Sequence, residues 1–294
     1  MISFMRWSFM DYERGAGVLK NSTEPILVRV ANWLRSTALF EQAWTIVCDG
    51  PLRWWWSEQL CLFTVGFWTV FLQTKGTWSV PDPTPNSQTK GPRTGREHGV
   101  KHVWAYMLFG QLVAISVATN LFFLALVPPA KEKKKVASAA APRAGARSVP
   151  SVLWLSVLAS LATVILVPHS LQHNYFLSNL LVMHALLVLP LLPLPASSSR
   201  AVRLRIPTRT LYRLVALLSA AVRVRTATVS GSLTTGPGTL WAVLNSHPAQ
   251  ASIGWDVVWT TISILIWVRP RGVRGQLMSI LSTAGGGIGV PRRE

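Results

Sequence analysis

The chain has 294 residues, half of them hydrophobic and 14% charged, a balance that leaves too little polar surface to cover a soluble fold, so the apolar surplus is expected to face lipid. Net charge is +18, yet the Lys and Arg residues collect between apolar stretches and do not line one amphipathic face with interleaved aromatics. This argues against a nucleic-acid partner and makes anionic lipid headgroups the expected counter-charge.

From the N-terminus, Met1 to Met10 carries Arg6 inside a short apolar run and lacks a small-residue cleavage site, so no removable signal peptide is expected. Ile26, Val30, Trp33, Leu34 and Ala38 recur at helical spacing, and Ile26 to Val47 reads as an interfacial amphipathic helix. Residues 1–50 form this N-terminal segment, and residues 51–128 a first helical pair with a polar loop. In that pair Leu60 to Leu72 spans a bilayer only if Trp54 to Gln59 are included. The Pro-rich stretch Gly76 to Lys101 is a loop. Val103 to Val127 is the clearest span, uncharged and stopped by Pro128-Pro129. A basic, Ala-rich linker occupies residues 129–150.

Residues 151–268 form the main bundle. Val152 to Val167 and Tyr175 to Leu194 make a helical hairpin around the turn Pro168 to Asn174. Leu211 to Val222 is a marginal span containing Arg213, Thr226 to Gly238 is a loop, and the final span ends at Val268. A tail covers residues 269–294. The predicted fold class is therefore all-α, a polytopic membrane bundle of five to six transmembrane helices plus the N-terminal interfacial helix, with the endoplasmic reticulum as the expected location. Tryptophans at the edges of the apolar stretches suit interfacial belts.

Counting Lys and Arg loop by loop gives six in the linker 129–150, none in 168–174, four in 195–210, none in 226–250 and five after Val268. That alternation puts the linker, the 195–210 loop and the C-terminus in the cytosol. One loop disagrees: residues 73–102 hold Lys75, Lys90, Arg93, Arg96 and Lys101 but fall on the lumenal side. Either the rule is overridden there or Leu60 to Leu72 does not cross. Asn21-Ser22-Thr23 is the one glycosylation sequon, and modification at Asn21 would place the N-terminus in the lumen.

Ionisable side chains within or beside the spans are few. Asp256 sits in the last span, flanked at helical spacing by Trp255 and Trp259. A carboxyl sheltered in an apolar cavity can donate a proton to an alkene or epoxide; its competing role is to stabilise a helix dipole near the interface. His247, before Pro248, either shares acid–base work with Asp256 or simply enters the helix through a turn. His184 lies mid-span, as a side chain bonded to a neighbouring helix or as part of a substrate or proton pathway with Trp255 and Trp259. Glu58 follows three tryptophans, an interfacial charge or an acid under an aromatic lid. Gln111, Asn120 and Asn179 read as links between helices. His169 and His173 stand four apart but lack a third ligand, and Cys48 and Cys61 lack His or Cys neighbours. No metal and no cofactor is therefore expected. Hydrolase, zinc-protease, Walker, dinucleotide and diphosphate-binding motifs are all missing from the sequence.

Ser246-His-Pro-Ala-Gln-Ala-Ser-Ile-Gly-Trp-Asp-Val-Val-Trp, together with Pro168-His-Ser-Leu-Gln-His-Asn-Tyr-Phe, resembles small multi-span membrane proteins of filamentous fungi that accompany natural-product gene clusters, over about a third of the chain. The resemblance implies secondary metabolism. Some membrane proteins of such clusters are similar in size to terpene cyclases, although the paired carboxylates those enzymes use are not evident here. Three functions stay open: a membrane-embedded cyclase or isomerase acting on a lipophilic isoprenoid, with Asp256 as acid assisted by Glu58 or His247; a transporter or efflux component; and a scaffold that holds pathway enzymes through the linker Lys131 to Arg147.

Overall fold

The computed structural model describes residues 2–15, 24–76, 100, 102–127, 148–192 and 206–268. Asn21, the basic linker Lys131 to Arg147 and the tail 269–294 lie outside the described residues. The protein is mostly helical. A two-residue antiparallel bridge, β1 (Ser148–Val149) with β2 (Ile206–Pro207), pairs Val149 with Ile206. The helices are α1 (Ile2–Gly15), α2 (Ile26–Ser36), α3 (Leu39–Cys48), α4 (Pro51–Leu62), α5 (Thr69–Gly76), α6 (Val103–Leu112), α7 (Ile115–Ala125), α8 (Ser151–Ser170), α9 (Phe176–Val188), α10 (Thr208–Ser230), α11 (Pro237–Leu244) and α12 (Pro248–Val268).

The centre of the bundle is α4 and α5, joined without interruption by a π-helical turn, Phe63–Trp68. Pro51 begins the helix at a position where its missing N–H is not needed. Every residue from Cys61 to Leu72 except the small or polar ones is a buried apolar side chain. The run Leu60 to Leu72, expected to span only together with Trp54 to Gln59, is thus the core of the molecule, with α8, α10 and α12 packed around it. α8 and α9 form the hairpin expected from the sequence, tied by Asn179 Nδ2 donating to the Thr163 carbonyl at 3.1 Å. Pro168 falls inside the last turn of α8 rather than in the connection.

Three expectations change. Ile26 to Val47 is two helices, broken at Thr37–Ala38, and only Trp33 of its apolar stripe is buried; Ile26 and Leu34 stay exposed. The weak stretch Leu211 to Val222 is the middle of a 23-residue helix, α10, which runs on through Arg223 to Ser230. Val103 to Val127 is not one rod. It breaks at Val113–Ala114, where Ala114 is extended at φ −170°, ψ 138°.

At that break the chain reverses. A Cβ on Gly110 would lie 3.2 Å from the Ala118 Cβ, and the Tyr106 and Phe122 rings meet with centroids 5.2 Å apart. In a continuous helix residues 106 and 122 would be separated by about 24 Å at 1.5 Å per residue. α6 and α7 are therefore an antiparallel helical hairpin whose tip is residues 113–114, and glycine at position 110 lets the two legs approach. α7 then runs parallel to the second half of α12: Asn120 donates to Ser263 Oγ at 2.8 Å, and Phe123 stacks on Trp267 at 4.5 Å. Phe71 touches Phe122 and Phe123, and α5 packs on the short turn Leu189–Leu191. The end of α5, both feet of the hairpin, the bridge β1–β2, the end of α9 and the end of α12 thus share one end of the bundle.

Two helices, Ser151–Ser170 and Pro248–Trp267, are long and apolar enough to cross a membrane, with mean hydropathies of 2.1 and 1.2; Val103–Leu112, Ile115–Ala125 and Phe176–Leu191 are shorter apolar helices.

Candidate functional site

A cleft of about 410 Å³ lies at the hairpin tip, between α1, α3, α4, α9 and α12. Its floor is Gly110 to Ile115, its walls include Phe4, Phe40, Trp44 and Leu187, and both Asp256 and His184 line it. The structure so brings together two of the residues singled out from the sequence, one from α12 and one from α9.

Asp256 is held by backbone. Its Oδ2 accepts the Ile115 N–H at 2.8 Å and its Oδ1 the Ser116 N–H at 2.7 Å. These are the first N–H groups of α7, which have no partner inside their own helix. The carboxylate therefore caps the N-terminus of a helix 140 positions away in sequence, where negative charge also meets the positive end of the helix dipole. Dipole stabilisation is one of the two roles the sequence allows Asp256, and the helix it serves is α7, not its own.

His184 is fixed by its own helix: Nδ1 lies 2.7 Å from the Leu180 carbonyl oxygen. A carbonyl only accepts, so Nδ1 carries the ring hydrogen and Nε2 keeps its lone pair. The ring meets Phe40 and Trp44 edge-on, with centroids 5.2 and 5.6 Å away. The link between helices that sequence suggested is made by the His184 carbonyl, which accepts from Gln111 Nε2 at 3.2 Å.

Glu58 and His247 are not in the cleft. Glu58, only 1% exposed, faces α10: Thr226 Oγ1 donates to Oε1 at 2.6 Å and Arg223 lies 3.5 Å from Oε2. Arg223 also donates to the Trp55 carbonyl and to Gln59 Oε1, and its guanidinium sits 4.3 Å over the Trp55 ring. The aromatic neighbour of Glu58 is thus occupied by the protein's own cation. His247 caps α12, Nδ1 accepting the Ala249 N–H at 3.1 Å, while its carbonyl accepts from Ala251. Burial against Trp7, together with the charge of Arg53, holds its imidazole below the ordinary range. Nine residues of helix, about 13.5 Å, separate it from Asp256. Trp255 and Trp259 point outward, 37% and 54% exposed, and Trp255 packs edge-on against Trp241.

Sequence reasoning missed the cleft's walls on α1 and α3 and missed Arg223. The charge of Arg223, opposite to that of Glu58 and inside an apolar neighbourhood, was the available signal. His169 meets Arg225, and His173 stacks on Tyr175; among the described residues no group of three or more His, Cys, Asp or Glu is placed to hold a metal ion.

No protein-family model, no curated protein and no solved structure matches the chain.

Proposed function

We propose that the chain is a multi-pass protein of the endoplasmic reticulum membrane that takes a lipophilic small molecule into the cleft at the hairpin tip and cyclises or isomerises it by acid–base chemistry on Asp256 and His184. The observation that carries the reading is the cleft itself, an apolar space of the size that holds small organic ligands, about 300–1,000 Å³, with two convergent ionisable side chains. The outer faces of the helices support the membrane setting. Leu155, Leu166, Leu181, Leu217 and Ile266 are all half exposed or more, apolar side chains on the outside of four helices that water does not favour. The resemblance to membrane proteins of fungal natural-product clusters supports an isoprenoid as the molecule acted on.

In this setting α6 and α7, about 15 and 16 Å long, reach half-way through a hydrocarbon core of about 30 Å and return. Five segments cross: α4 to α5, α8, α9, α10 and α12. The hairpin is re-entrant, and Asp256 satisfies the N–H groups that lipid cannot. This arrangement also removes the charge conflict of residues 73–102. That loop now leaves from the same end of the bundle as the linker, the 195–210 loop and the tail, all of them basic and all cytosolic under the positive-inside rule. Thr84→Cys and Ala139→Cys, labelled in sealed microsomes with an impermeant maleimide, should react from the same side; labelling from opposite sides refutes the re-entrant hairpin.

A transporter is the second reading, favoured by the break of a helix at a ligand-sized cleft, an arrangement transporters use at their binding sites. Microsomes carrying the protein and fed a labelled isoprenoid separate the two readings: new product marks the enzyme, while redistribution of unchanged compound marks the carrier. Asp256→Asn and His184→Phe should each abolish product in the first case.

A further inference from the structure

The chemistry lining the cleft restricts what its ligand carries. Among the described residues no Lys or Arg lines it, and the ionisable side chains that do are Asp256, His184 and Cys61. A helix N-terminus is by itself a place for a phosphate or carboxylate, but at α7 both N–H groups facing the cleft residue Asp256 are already bonded to that carboxylate. An anionic head, a diphosphate above all, would meet that carboxylate with no Lys or Arg side chain among the described lining residues to hold it. What the wall offers instead is acceptors. The Nδ1–H of His184 is committed to the Leu180 carbonyl, which makes Nε2 the acceptor of that ring, and among the described residues no group donates to it. Phe4, Phe40, Trp44, Val65 and Leu187 supply apolar surface around it.

We infer that the ligand is an uncharged, long-chain lipophile ending in a hydroxyl group, and that this hydroxyl donates its hydrogen to Nε2 of His184 while the chain lies along the aromatic wall. The inference rests on the proposed binding of a lipophile in this cleft and specifies its head group. A site built to accept one hydrogen bond rejects an analogue that lacks the donor, because the acceptor is then buried without a partner.

The test uses the full-length protein in lipid nanodiscs, photolabelled by a diazirine derivative of geranylgeraniol. Unlabelled geranylgeraniol, its methyl ether, geranylgeranoic acid and geranylgeranylamine compete with the photolabel, all at matched concentrations per lipid. The alcohol should displace the label at a concentration at least tenfold below that needed for each of the other three. His184→Phe should bring the alcohol to the level of the ether while labelling of the cleft persists, and His184→Gln, which restores an acceptor, should recover part of the difference. An ether that competes as well as the alcohol in the wild-type protein overturns the inference, as does an acid or amine that competes better; this series decides even where a His184 variant fails to fold. Labelling that none of the four competitors displaces removes lipophile binding itself, and with it the proposed function.

Discussion

Glu58 and Asp256, two of the acids drawn into this bundle, are neutralised in different ways. Glu58, between α4 and α10, faces a side-chain cation, Arg223, which is itself shared with the Trp55 carbonyl, Gln59 and an aromatic face. Asp256, between α12 and α7, is paired with no Lys or Arg side chain among the described residues; its oxygens take two backbone N–H groups from the start of a helix. The first arrangement ties two rods together. The second fixes a reversal of the chain, and so shapes the cleft beside it.

The contrast predicts different responses to substitution. Removing one partner of a buried ion pair leaves an uncompensated charge and costs about 3–5 kcal/mol. Arg223→Met should therefore show the largest loss of thermal stability in detergent, and adding Glu58→Gln should recover most of it. A double variant no more stable than the single would mean that the two residues are not coupled. Asp256→Ala strands two N–H groups at about 1–3 kcal/mol each. The damage should stay local, appearing as faster amide exchange at residues 110 to 118 with α4 and α10 protected. Asp256→Asn, whose amide offers one acceptor, should fall between. Equal acceleration throughout the bundle would erase the distinction between a rod-to-rod tie and a hairpin clasp.

Steric fit gives the next effect. A Cβ on Gly254 would come within 2.7 Å of the Leu244 Cγ, a fully buried atom group with no room to retreat, whereas at Gly110 the nearest atom, 2.8 Å away, is the mobile end of Ile115. Gly254→Ala should cost about 1–3 kcal/mol as an overpacked contact, and Gly110→Ala less, both read from unfolding midpoints. The smallest effect concerns the cap of α12. His247 accepts a hydrogen bond as a neutral ring, and its folded value lies below the unfolded one near 6.5. Its contribution is present above that value and is lost as pH falls from there through the folded value. Protection of the Ala249 amide, its exchange measured against the intrinsic rate at each pH, should fall between pH 7 and pH 5, and His247→Asn, a cap that does not titrate, should flatten the profile.

The helical class, the α8–α9 hairpin and the last helix could be read from hydropathy because each is a continuous apolar run with a polar stop. Asn120 and Asn179 could be read too, as lone amides whose groups need partners in an apolar setting. The reversal at Val113–Ala114 could not. No proline or polar pair marks it, and the apolar run continues through it, because the groups that a break leaves unbonded are satisfied from α12, far along the chain. The length of α10 was hidden for a related reason. Arg223 looks like the end of an apolar segment until Glu58 is brought opposite it. Asp256 and His184 were visible as rare ionisable residues, while the cleft they line depends on α1 and α3, whose packing no periodicity in the sequence announces.

The wide turn at Phe63–Trp68 has a consequence for how the central rod meets its neighbours. The Thr69 backbone N–H donates to the Thr64 carbonyl, five positions back, so one residue more than usual is accommodated in that turn, and Thr69 Oγ1 donates to the same oxygen at 2.8 Å. An additional residue rotates everything after it by about 100° relative to an uninterrupted helix. Leu60 and Cys61 before it, with Thr64 and Val65 in its first half, border the cleft, while Trp68 at its end and Phe71 after it lodge against Phe122 of the hairpin. Excising a single residue there would keep the helix but turn its second half out of register, parting the aromatic stack from the hairpin legs whose tip makes the cleft floor.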